Sequence, residues 1–267
     1  VQVHHPSRTV TPSPVPFAPL SPLDRFDRIY FINLDHRLDR RSEIESELNY
    51  MQVPAEKIVR IPGVIPPERR GSIGCTLAHI NTLRHFLEDP DLNTAVVLED
   101  DFQFLVTPEQ LDESLELFLR LKPEWDVLML AGAVERFKEY DALPAWRVLS
   151  AYTTSAYIVT RPMAAVLLAN FEEGLHKLRH DPKNEDYHLD LYWRSLQPEY
   201  QWYMLKPVAG SQRASYSDIN HKVKEIKSTI RKAPLAQQSE KSQRRRRRSR
   251  HEGSRSRSTA SDPPPHE

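Results

Sequence analysis

The sequence predicts an α/β domain with a mostly parallel central sheet, and three observations carry that expectation. Short apolar, β-branched runs alternate with longer segments whose apolar residues recur every three to four positions. Two runs, Thr94–Leu98 (TAVVL) and Asp126–Leu130 (DVLML), are apolar after their first residue, as in strands buried on both faces. The alternation also occupies one stretch, roughly residues 25–222, between ends that lack the means to build a core.

The elements follow in order. Arg28–Leu34 (RIYFINL) reads as the first strand, and Asp39–Met51 as a helix with Ile44, Leu48 and Met51 on one face. A Pro/Gly-rich loop leads to a helix over Ile73–Leu87, its apolar stripe being Leu77, Ile80, Leu83 and Leu87. Thr94–Leu98 is a strand, and Pro108–Leu121 a helix through Leu111, Leu115, Phe118 and Leu119. Asp126–Leu130 is a strand halted near Gly132, and Ser155–Thr160 is another. Pro162 opens a helix to about Phe171, proline being tolerated in a first helical turn. Tyr187–Leu196 is predicted helical, and Gln201–Leu205 is the last predicted strand.

Both ends read as disordered. Residues 1–23 form a Pro/Ser-rich spacer, with six prolines before Leu23 that fix φ and donate no backbone hydrogen bond. Residues 223–267 form a basic tail containing Arg244–Arg248 and Ser/Arg alternation. The domain proper is assigned to residues 24–222. Equal totals of 37 basic and 37 acidic residues hide a split. From Lys222 onward there are 14 basic and 5 acidic residues, against 23 and 32 before it. An acidic body thus carries a basic tail.

Composition excludes several classes. One cysteine, Cys75, rules out an intramolecular disulfide framework and a zinc site built from several cysteines. No run approaches the ~18 apolar residues that a membrane-spanning helix needs. The chain opens at Val1 rather than Met, which is expected of a fragment or of a chain that has lost its leader. A missing leader favours the lumen of the secretory pathway, and its absence the cytoplasm.

The sharpest chemical feature is Glu99-Asp100-Asp101, at the end of the Thr94–Leu98 strand. Ligands of α/β sheets bind outside the carboxyl ends of strands. Residues two apart on extended chain point the same way, so Glu99 and Asp101 can reach one divalent ion. Their hard oxygens suit Mn²⁺ or Mg²⁺, and a solvated acidic turn is the plain alternative. Asn33-Leu34-Asp35, followed by Arg37, Arg40 and Arg41, can hold a nucleotide, or can simply start a helix. Arg69 to His79 feeds Gly71 and Gly74 into a helix N-terminus that favours anions, and His79 can face the site or serve the core.

Six blocks, in order, then make a specific pattern. They are FINLDHRLDRR (31–41), GSIGCTLAHI (71–80), VVLEDDF (96–102), TTSAYIVTRPMAAVLL (153–168), HLDLYW (188–193) and KPVAGSQRASYSDI (206–219). Together they resemble glycosyltransferase family 25, over about 195 residues. The resemblance implies a GT-A-like fold, a UDP-sugar donor, a glycan or protein hydroxyl as acceptor, and usually Mn²⁺. It carries donor-binding roles to Asn33, Asp35, Arg37, Gly74, His79, Asp100, Tyr157, Gln212, Ser217 and Asp218. Glu99 and Asp101 become the metal ligands, with His221 as a nitrogen ligand from the C-terminal side. Asp190 becomes the base of an inverting displacement, with Asp186 as fallback. One departure stands out: His188-Leu189 precedes Asp190 where many members have Pro-Val or Pro-Ile. The rival reading is a protein that binds nucleic acid or acidic surfaces through its Arg/Ser tail, with an inactive transferase-like domain. A second rival, a metal-dependent hydrolase on the same carboxylates, lacks a Ser or Cys in a nucleophile setting.

Overall fold

The computed structural model describes residues 21–122 and 124–213, together with the backbone of three short strands beyond them. The strands are β1 Arg28–Asn33, β2 Ile58–Pro62, β3 Thr94–Glu99, β4 Phe102–Phe104, β5 Val127–Met129, β6 Ala133–Lys138 and β7 Ala145–Tyr152. They continue with β8 Ala156–Thr160, β9 Trp202–Leu205, β10 Gly210–Gln212, β11 Ser215–Ser217, β12 Lys222–Lys224 and β13 Thr229–Ile230. The helices are α1 Leu38–Tyr50, α2 Gly71–Glu88, α3 Pro108–Leu121, α4 Arg161–His180 and the single turn α5 Leu189–Tyr192.

Nine strands make the central sheet, in the order β13-β6-β7-β9-β5-β8-β3-β1-β2. β1 lies parallel to both β2 and β3, and β5 lies parallel to β9. Strand β8 runs against β3 and β5, and β7 runs against β6 and β9. All other strands of the sheet share one direction. The α/β class and the mostly parallel sheet therefore hold.

Two apolar layers sandwich the sheet, and alternation along the strands divides residues between them. Tyr30, Ala95 and Val97 face the layer with Ile80, Leu83 and Phe86 of α2 and Met163, Leu167 and Phe171 of α4. Ile29, Phe31, Val96 and Leu98 face the layer with Ile44 and Leu48 of α1 and Leu111, Leu115 and Phe118 of α3. This two-sided burial is why β1 and β3 read as unbroken apolar runs. Helix α3 starts where its sequence says it should. Thr107 accepts from the Gln110 N–H while the Gln110 side chain returns to the Thr107 N–H, with Pro108 at the first position.

Several boundaries differ from the sequence expectation, each for a local reason. Helix α4 continues past Phe171 to His180, because Leu175 and Leu178 extend its buried face. Tyr187–Leu196 is not one helix. His188 is extended (ψ 142°), separating a 3-10 turn at Glu185–Tyr187 from α5, and a second 3-10 turn follows at Trp193–Ser195. Strand β6 carries Glu135, Arg136 and Lys138 on its outer half, and β7 is interrupted by the buried Arg147, which conceals both from a search for apolar runs. Gln201–Leu205 is not the last strand, since β10 to β13 follow β9. Residues 21–23 belong to the packed body: Leu23 is fully buried, and the Ser21 hydroxyl donates to the Met51 carbonyl at 2.6 Å. On the other side β13 pairs with β6 beyond residue 222. The Arg/Ser segment lies outside the described residues. Within them, no helix is long and apolar enough to cross a membrane.

Candidate active site

A cleft of about 700 Å³ opens at the carboxyl ends of β1, β2 and β3, where an α/β sheet places its ligands. Its walls come from the ends of these strands, the first two turns of α2, the segment after β7, α5 and the end of β10. Gly74 permits the α2 wall to close on the loop after β2. A Cβ there would lie 2.2 Å from the Val64 carbonyl oxygen, so no other residue fits without moving backbone. Gly210 does the same for the β4–β10 ribbon, where a Cβ would lie 2.2 Å from the Phe102 ring. That ribbon pairs Gln212 with Phe102, beside Asp101.

The three adjacent carboxylates divide into two roles. Asp100 is buried and held on both oxygens, by Arg40 Nη1 at 2.9 Å and by Asn33 Nδ2 at 2.8 Å. Burial pushes its pKa up in spite of these partners. Glu99 and Asp101 remain turned to the cleft. Glu99 Oε1 accepts from the Thr154 hydroxyl at 2.7 Å and lies 3.4 Å from His79 Nε2. Burial opposes ionisation of Glu99, yet hydrogen bonds from His79 and Thr154 and the Arg40 charge hold its pKa below the usual value. Asp101 is pushed up to about 7, first by burial and then by the Glu99 charge, against the pull of Arg40 at 3.4 Å. One carboxylate of the pair is thus inclined to hold a proton when no other cation is near.

Gln212 reports on the same spot. Its Nε2 lies 3.4 Å from Glu99 Oε2 and 3.5 Å from Asp101 Oδ1, while its Oε1 is buried with no hydrogen-bond partner. Two carboxylates converging on one donor, with an orphaned carbonyl oxygen beside them, form an all-oxygen set that a hard divalent cation satisfies. The residues therefore fit the metal that the sequence pattern implies.

His79 sits on the first turns of α2, fully buried. Its ring stacks on Tyr157 at a centroid distance of 5.8 Å, with Nδ1 3.1 Å from the Tyr157 hydroxyl. Tyr157 itself lies inside the sheet on β8 and supports His79 rather than lining the cleft. Asp190, on α5, lines the cleft, and its Oδ2 accepts from the Thr153 N–H at 3.1 Å. Thr153 has φ 72°, a left-handed backbone unusual for a β-branched residue. Burial, then the nearby Glu99 charge, pushes the Asp190 carboxyl up, while the Thr153 N–H and His188 pull it down.

The structure brings together Asn33, Gly74, His79, Glu99, Asp100, Asp101, Asp190 and Gln212 around this cleft. It does not bring Asp35 or Arg37 there. Asp35 is 79% exposed and ion-paired with Arg60, and Arg37 pairs with Asp39 at 2.8 Å. Both lie on the turn leading to α1, and of this turn Leu34 and His36 face the cleft. Ser217 lies in β11, whose side chains are outside the description, and Asp218 and His221 lie outside the described residues. The residues that sequence reasoning missed are Thr153, Thr154 and His188, polar neighbours of the carboxylates. Thr153 and Thr154 open a quoted block, TTSAYIVT, and that was the only signal for them.

No protein-family profile matches the chain. Over 198 residues it is 27% identical to procollagen galactosyltransferase 1-B of Xenopus laevis, covering 62% of this chain and 31% of that protein. Over 102 residues it is 34% identical to procollagen galactosyltransferase 2 of Mus musculus, covering 30% of this chain and 16% of that protein. The chain spans less than a third of the length of these curated relatives. Among solved structures, a glycosyltransferase involved in glycosylation of the major capsid of PBCV-1 aligns with a TM-score of 0.43 at 10% identity, covering 66% of this chain and 79% of that one. By sequence, then, this chain is similar to the procollagen galactosyltransferases, in keeping with the family that its six blocks resemble.

Proposed function

We propose that this chain is a glycosyltransferase that moves a hexose, galactose or glucose, from a UDP-sugar to a hydroxyl acceptor with inversion, assisted by Mn²⁺ or Mg²⁺. The observation that carries the reading is the convergence of Glu99, Asp101 and Gln212 with Asp190 in one cleft at the carboxyl edge of the sheet. Sequence similarity to the procollagen galactosyltransferases supports it independently.

Each residue's part follows from its chemistry. Glu99 and Asp101 would hold the metal, oriented by Thr154 and Gln212. When bound, the metal supplies positive charge against the negative charge growing on the departing diphosphate. Arg69 and Arg70 enter the cleft at the N-terminus of α2, where backbone amides and cationic side chains meet a phosphate group. Asp100 stays engaged with Arg40 and Asn33 and fixes the turn that aims its neighbours. Asp190 accepts the proton of the attacking hydroxyl. Its raised proton affinity suits a base better than an ordinary carboxylate would.

The test is a thermal-shift series with UDP, UDP-galactose and UDP-glucose, with and without Mn²⁺, followed by measurement of released UDP with a panel of hydroxyl acceptors that includes procollagen. A metal-dependent rise in melting temperature with UDP, and acceptor-dependent UDP release, are expected. Absence of any UDP-dependent shift at millimolar nucleotide would overturn the reading.

A further inference from the structure

Beside the all-oxygen pair lies a softer donor set. Cys75 and His79 are four residues apart on α2, so their side chains share one helix face. The Cys75 thiol, a ring nitrogen of His79 and a carboxylate oxygen of Glu99 lie within 4.8 Å of one another. All three residues line the cleft. We propose that Cys75, His79 and Glu99 form a binding site for a thiophilic divalent cation, Zn²⁺ being the natural occupant, and that this site shares Glu99 with the hard-metal pair.

Geometry is the first argument. Ligand atoms around a tetrahedral zinc stand roughly 3.3–3.8 Å apart, given its ordinary bond lengths. His79 Nε2 and Glu99 Oε1 are already 3.4 Å apart. Cys75 Sγ, within 4.8 Å of the other two, needs to close by no more than about 1.5 Å on that scale. Outer partners are the second argument. His79 is locked by its stacking on Tyr157 and by the contact of Nδ1 with the Tyr157 hydroxyl, which leaves Nε2 aimed at Glu99. Glu99 is in turn oriented by the Thr154 hydroxyl. Zinc-ligating histidines and carboxylates ordinarily have such partners. With three protein ligands, the fourth position opens into the cleft.

Charge favours a cation at the thiol as well. The carboxylates of Glu99, Asp100, Asp101 and Asp190 line the same cleft as Cys75 and draw a divalent cation into it. On binding, the Cys75 S–H bond gives way to an S–Zn bond and the proton leaves to solvent, so the thiolate's negative charge meets the metal's positive charge. For imidazole and thiolate donors Zn²⁺ outcompetes Mn²⁺. Since Glu99 serves both sites, Zn²⁺ is expected to displace the hard metal and inhibit transfer. This inhibitory consequence rests on the proposed transferase reading, whereas binding itself does not.

The test uses Co²⁺ as a spectroscopic stand-in for Zn²⁺, on the whole chain. Because Cys75 is the single cysteine, any thiolate-to-cobalt charge-transfer band must come from it. One Co²⁺ per chain, tetrahedral d–d bands and a thiolate band that Zn²⁺ abolishes are expected. Cys75→Ala should lose the thiolate band and weaken Zn²⁺ binding at least tenfold, while Mn²⁺-dependent UDP affinity stays within about twofold. Glu99→Gln should weaken both metals. A wild-type spectrum with no thiolate band, or Zn²⁺ affinity unchanged in Cys75→Ala, overturns the proposal. If UDP fails to bind with Mn²⁺ while the thiolate band is present, the transferase reading falls and the zinc site stands.

Discussion

The Thr153 N–H lies 3.1 Å from Asp190 Oδ2, tying the strained segment after β7 to the single-turn helix α5. The bond matters because Asp190 has no long helix to hold it. Its neighbours Leu189 and Trp193 are buried, so packing anchors the turn and the Thr153 amide aims the carboxylate.

Asp190→Asn should leave UDP-sugar affinity intact and lower turnover by a factor of ~10²–10⁴, the usual worth of a positioned general base. Stability gives a second readout. Burial raises the folded pKa of Asp190 above its unfolded value, so the native state binds more protons and stability falls as pH rises through that range. The Asn variant avoids this loss and should melt higher than wild type near neutral pH, with little difference near pH 4. Near-normal turnover, or affinity lost in step with rate, would remove Asp190 as the base.

Asp101→Asn keeps shape and removes charge next to Glu99. The fold should survive, with metal-free stability equal to wild type or higher, and Mn²⁺-dependent UDP binding should fall at least tenfold. Calorimetry with and without Mn²⁺ checks it, and unchanged affinity would end the role of Asp101 in holding metal.

Asp100 should behave as scaffold. Asp100→Ala leaves Arg40 buried without its principal carboxylate and takes from Asn33 one of its two acceptors, the Arg37 carbonyl remaining, which is expected to lower stability by about 3–5 kcal/mol. Asp101→Asn should show no comparable loss. Chemical denaturation of the two variants side by side distinguishes scaffold from ligand.

The N-terminal boundary is testable by trimming. A chain beginning at Ser21 should melt like the full chain, whereas one beginning at Asp24 loses Leu23 and the Ser21–Met51 hydrogen bond. The loss is expected to be about 2–4 kcal/mol, from one fully buried leucine and one hydrogen bond. Equal melting temperatures would return the boundary to residue 24.

Arg147 offers a check on the fold away from the cleft. Its buried guanidinium donates to the carbonyls of Gln197 at 3.0 Å and Trp202 at 3.3 Å, and also to that of Tyr200. Arg147→Leu strands these acceptors and should destabilise by about 3 kcal/mol or more. A melting temperature near wild type would show that water replaces the guanidinium there.

Much of this protein was legible from residues alone, because local pattern is a direct consequence of burial. The runs around Val96 and Leu128 declared strands covered on both faces, the spacing of Leu111, Leu115 and Phe118 declared the helix from Pro108, and the end of β3 put Glu99 and Asp101 at the mouth of the sheet. What one sequence could not decide was which neighbours those residues meet. Asp100 and Asp101 are adjacent in the chain, yet one is locked by Arg40 and Asn33 and the other faces the cleft, since successive side chains take different directions. Asp35 carries the right chemistry but is turned to solvent by its pairing with Arg60. Cys75 acquires metal-binding company only because β3 delivers Glu99 beside α2, and Gln212 reaches the same carboxylates from more than a hundred residues away. Local periodicity encodes elements; only packing the elements together sets the distances on which the chemistry depends.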